Sequence, residues 1–479
     1  MIDIDGSAHS GSGTIVRHAA AYAALTGQPV RVRNARARRQ RPGLRPQHLQ
    51  AIQATRDLVG GSLDGAEVGS RFFEFRPGNT EPAGRYAWDI GTAGSATMLA
   101  LSVLPVLAFR GRGAEAEIHG GLFQDFAPSA FHLQHMIAPL LAQMGLAAQI
   151  EMIRPGYPPA GQGVIRLAVP ACEQPLRPLT PRRGQVPARV WGISLASHLD
   201  DRRVAARIAA AARTVLGTAG ITAEIQECSD STAAQPGAAF ALFADFIGGT
   251  RLGADRAGAP HRPAERIGAR VARQLLAEIG SGATIDRHAS DQIIPFAALA
   301  DGTSNFQIPF ITEHVETAGW LAWLFLRAEV SAAGNTLVVH RQDACRRRMD
   351  SHGEDDPPAR ALSRLRYELH LPGGLLSRSA PPTGTLASSQ SCRCRAYSWC
   401  LRGERGSWTA GTDGRPQSAG RLRSRTAKRL NGDPQDLIRT MPAKGDRPAG
   451  PCLDGKPVQR HHREPGRRIW SWLPRSPRS

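Results

Sequence analysis

The chain has 479 residues, enough for two or three domains and a sizeable core. Its formal charge of +19 is uneven: residues beyond 340 hold 28 lysines and arginines against 13 acids, while the first 340 hold 32 against 28, so a nucleic-acid argument from global charge concerns only the last segment. Only Cys172 and Cys228 precede residue 340, which excludes a disulfide framework there and points to a reducing compartment.

The chain opens with MIDID, a short strand whose acids, with no apolar run after them, do not fit a signal peptide. TIVRHAAAYAALTG reads as a helix stopped at Gly27, and PVRVR as an alternating strand. A loop with six arginines from Arg31 to Arg41 follows. It reads either as a solvated basic loop or as an anion site, because guanidinium forks match phosphate oxygens and the next helix offers its free N–H groups. That helix, PQHLQAIQATRDLVGG, has Pro46 at its opening and Leu49, Ile52, Leu58 and Val59 on its apolar face; RFFEFRPG is a strand. The order then recurs: RYAWDI, a helix entered through GTAGSAT, AEIHGG, the helix PSAFHLQHMIAPLLAQMG, and the strands QIEMI and GVIRLAV. The longest apolar run, ATMLALSVLPVLAF, is too short to span a bilayer, so a soluble, cytoplasmic protein with no membrane partner is expected.

Both halves read strand–helix–strand–helix–strand–strand, and both first helices are entered through glycines, SGSGT and GTAGSAT. A repeated unit of about 80 residues is expected, in an α/β (α+β) fold with helices on one face of mixed sheets. A Pro- and Arg-rich stretch near 173–190 reads as a linker. VWGISLA, VAARIAAAARTVLG, FALFADFIGG and PAERIGARVARQLLAEIG then form a smaller α/β insert, and the segment to NTLVVH resumes the first pattern. The expected divisions are 1–184, 185–280, 281–340 and 341–479. Beyond His340 apolar periodicity gives way to Arg, Ser, Pro and Gly, and a disordered or adventitious basic tail is expected.

An ordered set of short stretches now stands out: IDGS, the arginine loop with PGLRPQHL, GTAGSAT, Gly120–Gly121 with Ala127–Pro128, GYPPAGQG, DRHASDQIIPFAALADG and ITEHVET. Together they resemble the RNA 3′-terminal phosphate cyclase family over about residues 1–340, so 1–184 and 281–340 would form its large domain, with 185–280 inserted. The resemblance implies ATP-dependent conversion of an RNA 3′-phosphate end to a 2′,3′-cyclic phosphodiester through a covalent histidine–AMP intermediate. ATP and Mg²⁺ (or Mn²⁺) are the implied cofactors, RNA 3′-phosphate ends the partner, and a homodimer a candidate assembly.

The family nucleophile sits in a T-x-H-x-x-T context, matched by Thr312, His314 and Thr317, which makes His314 the candidate nucleophile. Arg36 and Arg39 match the family's R-A-G-R arginines and, with Arg17, would clamp triphosphate or RNA phosphate, and Gln47 would line the same pocket. Pro128, His288, Asp291 and Gln292 would line the nucleotide pocket, with Asp291 orienting His314 or holding a metal. The chain departs from the family turn EGGGQ: Ser10 replaces a carboxylate expected to bind the divalent metal, and Thr14 replaces the Gln. Those departures motivate the alternative of a catalytically weakened or inactive cyclase-like protein acting in RNA binding or ribosome assembly.

Overall fold

The structure, a computed structural model, describes residues 1–341; the expectation for the tail lies outside them. Strand β1 (Ile2–Asp5) leads into α1 (Gly13–Thr26), which is capped by Ser12, whose side chain accepts the Thr14 N–H, and is stopped by Gly27 at φ 71°. Every residue of α1 from Gly13 to Ala24 is buried, as its alanine-rich, nearly all-apolar sequence requires of a helix packed on all sides. Strand β2 (Val30–Arg33), α2 (Pro46–Val59), β3 (Gly61–Asp64) and β4 (Phe73–Pro77) complete the first unit.

The second unit runs β5 (Gly84–Asp89), α3 (Ala96–Arg110), β6 (Ala114–Gly120), α4 (Ala130–His132), α5 (Ala138–Gln143), β7 (Gln149–Arg154) and β8 (Gly163–Val169). Its sheet order, β5-β6-β8-β7, reproduces the β1-β2-β4-β3 order of the first, with one parallel pair followed by two antiparallel pairs in each. The repeat read from the sequence is therefore a repeat of topology. Helices α4 and α5 are joined through a π-turn, Leu133–Ile137. Pro139 has no N–H for the His135 carbonyl, which instead accepts from Arg251 Nη1 at 3.0 Å.

The middle segment forms β9 (Pro187–Ser197), α6 (Val204–Thr218), β10 (Ala223–Asp230), β11 (Gly237–Phe246), β12 (Arg251–Ala257) and α7 (Ala264–Gly280), with sheet order β10-β9-β11-β12. Its helices bury Ile208, Leu216, Val271 and Leu275 against Phe240 and Leu242 in a core of their own. The opposite face of the sheet gives Leu195, Ala241 and Phe243 to the main core. The short helices α8 (Ala289–Gln292) and α9 (Ile294–Ala297) precede β13 (Thr303–Gln307), α10 (Glu313–Leu326), β14 (Ala328–Ala333) and β15 (Thr336–Arg341). The order β13-β15-β14 repeats the last three strands of each earlier unit. The stretch expected as a linker is tied down: Leu176 and Leu179 are buried, and the Leu176 carbonyl accepts from the Asp301 N–H. Helix α1 packs against α2, α3 and α10, so the first and last parts of the chain share one interior. No helix among the described residues is long and apolar enough to cross a membrane.

Candidate active site

The N-termini of α1, α2 and α10 meet at one cavity of about 590 Å³. Their free N–H groups and aligned dipoles make such a meeting point favourable for anions. Arg17, Arg36, Arg39, Gln47 and His314 line this cavity, together with Pro128, His288, Asp291 and Gln292. The structure thus brings together all nine residues singled out for catalysis and nucleotide binding. Ser10 is not among the lining residues.

The T-x-H-x-x-T spacing has a local cause. Thr312 caps α10 by accepting the Val315 N–H at 3.2 Å. Thr317, on the turn after, donates to Ser10 Oγ at 2.9 Å and accepts the Ser10 N–H at 3.2 Å. Between them, His314 Nδ1 sits 3.1 Å from Thr14 Oγ1 on α1, and Nε2 has no hydrogen-bond partner among the described residues. Burial, with Arg39 and Arg17 adding to it, lowers the His314 pKa, so the imidazole is neutral at pH 7.

Arg17 is 5 % exposed, and burial brings its pKa to about 10, so it stays charged; Asp291 favours that charge. Burial raises Asp291 to about 6 against the opposing pull of Arg17. His48 also lines the cavity. Its Nδ1 accepts the Arg45 N–H at 3.3 Å, and burial beside Arg17 holds it well below the ordinary imidazole value. His48 is therefore a neutral tautomer with its proton on Nε2, a donor at the cavity wall. Gly13 makes this approach possible: a Cβ there would lie 2.2 Å from His48 Nε2 and 3.2 Å from Arg17 Nη1.

The other candidates divide by role. Arg36 turns back on its own loop, donating from Nη1 to the carbonyls of Arg41 at 3.0 Å and Gly43 at 2.6 Å. Arg39 is exposed and makes no side-chain bond to the described residues. Gln47 accepts the Ser95 N–H at 2.8 Å, joining α2 to the GTAGSAT turn of the second unit. His288 lies 3.1 Å from Gln274 Nε2 through its own Nε2, and burial lowers its pKa. Gln292 donates to Asp291. Of the other loop arginines, Arg31 and Arg33 pair with Glu74 and Asp3.

The chemistry of the donor set does not suit a resident metal ion. Among the described residues no three His, Cys, Asp or Glu side chains gather to hold one. Ser10 Oγ is engaged by Thr317 and lies 2.9 Å from Ser12 Oγ. Of the acids at the cavity, Asp125 is bonded to Arg256 and Arg262, Asp255 accepts the Ser129 N–H, and Asp291 accepts from Gln292.

Sequence reasoning missed the wall supplied by the middle segment: Asp255 and Arg256 on β12, Arg270 and Gln274 on α7. The only sequence sign was that Arg270 and Gln274 stand four apart, on one face of an amphipathic helix. It also read Thr14 as a departure without seeing that its hydroxyl meets His314.

The family model described as RNA 3′-terminal phosphate cyclase matches residues 8–332. Curated proteins of the same description are similar over nearly their whole length. One from Desulfurococcus amylolyticus is 36% identical over 343 residues, covering 70% of this chain and 95% of its own. One from Methanothermobacter thermautotrophicus is 40% identical over 318 residues, 66% of this chain and 92% of its own. One from Methylococcus capsulatus is 38% identical over 340 residues, 69% of this chain and 92% of its own.

Proposed function

The chain belongs to the RNA 3′-terminal phosphate cyclase family, and from that premise we propose that it cyclises RNA 3′-phosphate ends at the expense of ATP, with His314 as the covalent nucleophile. The observation that carries the reading is the Thr14–His314 hydrogen bond inside an arginine-lined cavity. A nucleophilic Nε2 needs its lone pair, so the ring proton must sit on Nδ1, where Thr14 Oγ1 accepts it. Nε2 attacks the α-phosphorus of ATP; the N–P bond forms, the α–β P–O bond breaks, and pyrophosphate leaves. A 3′-phosphate oxygen of the RNA then attacks the same phosphorus, forming a phosphoanhydride and returning His314. The 2′-hydroxyl closes on the 3′-phosphorus, loses its proton, and AMP departs. Each step is a displacement with a good leaving group, so the protein has to align phosphates and neutralise charge.

In this reading Arg17, Arg39 and the His48 Nε2–H meet the phosphates, while Arg36 and Gln47 hold the loop and turn around them. A divalent ion would accompany the phosphate oxygens of ATP, as Mg²⁺ commonly does, and no residue cluster among the described residues would retain it. Incubation with α-labelled ATP should give an acid-labile, hydroxylamine-sensitive label, and His314→Ala should abolish it. Retained label in that variant would defeat the assignment. The engagement of Ser10 by Thr317, at the position where the resemblance implies a carboxylate, favours a second reading: an RNA-binding relative without the chemistry. Strong ATP-independent RNA binding with no label in the wild-type chain would establish that reading instead.

A further inference from the structure

Phe126 is fully exposed, at 106 % of the reference area, yet its backbone is fixed in the left-handed region at φ 67°. A phenylalanine is strained there, and its ring gains nothing from burial. The loop around it is pinned on both sides. Asp125 accepts from Arg262 at 2.7 and 3.2 Å and from Arg256 at 3.4 Å. The Pro128 carbonyl accepts from Thr97 at 2.7 Å, and the Ser129 N–H donates to Asp255 at 3.1 Å. So a rigid loop presents a bare ring at the rim of the cavity that holds His314. Arg270 lines the same cavity, is exposed, and makes no ion pair or hydrogen bond with any described residue.

We propose that Phe126 and Arg270 form a subsite for one nucleotide of single-stranded RNA, the base stacking on the Phe126 ring and a backbone phosphate meeting the Arg270 guanidinium. A ring with no polar group has a π-face that accepts any base, and an unpaired guanidinium matches a phosphate. The occupant is RNA rather than ATP because Phe126 stands wholly in solvent at the rim, where a polymer continues outward. The triphosphate of ATP must instead reach the buried Arg17 and His314. This inference rests on the cyclase reading for the identity of the RNA end, but its main test needs no ATP.

The full-length protein is titrated with a 3′-phosphorylated oligoribonucleotide carrying 2-aminopurine at its 3′ end. Binding is followed by anisotropy and stacking by fluorescence quenching. The wild type should quench the probe. Phe126→Ala and Phe126→Leu should lose the quenching and bind about tenfold more weakly, the lower-middle range for losing one base–aromatic stack. Phe126→Trp should keep both, and Arg270→Ala should weaken binding while flattening its salt dependence. The KM for ATP in the labelling reaction should change less than RNA affinity in Phe126→Ala. Unchanged quenching and affinity in Phe126→Ala overturns the subsite, and an equal or larger rise in the KM for ATP assigns the base to ATP instead. Quenching without any AMP label removes the cyclase reaction and leaves the subsite standing; label without quenching does the reverse.

Discussion

Thr14 and His314 are 300 residues apart in sequence and meet at 3.1 Å. If Thr14 sets the His314 tautomer, Thr14→Val, which keeps the shape and deletes the acceptor, should slow AMP labelling by about tenfold to a hundredfold, the range for losing a partner that orients a functional histidine. Thr14→Ser should restore the rate. The pH profile separates this from a packing defect. In that reading the attacking form is neutral and the His314 pKa is lowered, so the wild-type rate should still exceed half its plateau at the ordinary imidazole value of 6.5 and lose the rest in more acid solution. Asp291, raised to about 6, gains its proton in the same region. Asp291→Asn should therefore simplify the acid limb to a single titration, read from labelling rates across a pH series.

At the scale of elements, the cavity wall made by the middle segment is joined to the rest through the buried His132–Asp286 pair. His132 Nε2 on α4 lies 3.2 Å from both Asp286 oxygens; Asp286 also accepts the Ala289 N–H at 2.9 Å at the start of α8 and the Gly253 N–H of β12 at 3.3 Å. Burial pushes the His132 pKa down, but Asp286 more than offsets it, and the net direction is above 6.5. Burial likewise opposes the Asp286 charge, yet His132 brings that pKa from 3.8 to about 2. The His132 contribution is complete below 6.5 and fades as pH rises through its folded value; that of Asp286 is complete above 3.8 and fades as pH falls through about 2. Asp286→Asn should thus destabilise the protein by about 3–5 kcal/mol, because it leaves a buried imidazolium unpaired. In urea titrations the loss should be greater near pH 5 than near pH 8. None of this was legible in sequence, since neither residue belongs to a spaced motif with the other. What was legible had a period or a cap: the alanine-rich α1, the Pro46 opening of α2, and the two glycine-entered units. Strand β3, counted in the repeat but given no segment of its own, was hidden behind the Gly60–Gly61 pair, and β10 and β12 were missed because AEIQECSD and RLGADRA carry charges through strands that sit at sheet edges.

For the whole molecule, the matched family region stops at residue 332, but the last described sheet does not. Strand β15 lies between β13 and β14, and its Leu337 and Val339 are buried. A chain ending at Arg341 should keep a cooperative thermal transition and its AMP labelling. A chain ending at Ala332 should lose both, since two unpaired strands and the burial of two large aliphatic side chains, about 1.5–3 kcal/mol each, are forfeited together. Circular dichroism melts of the two truncations would check this. The packing of α1 against α10 also orders events during synthesis. Helix α1 leaves the ribosome among the first segments, with Arg17 already on it, while the helix that covers it and bears His314 comes nearly three hundred residues later. Until then one flank of a helix whose residues from Gly13 to Ala24 are all buried in the finished fold is open to other nascent chains. A ribosome pause anywhere in the middle segment therefore prolongs directly the interval in which α1 lacks its cover.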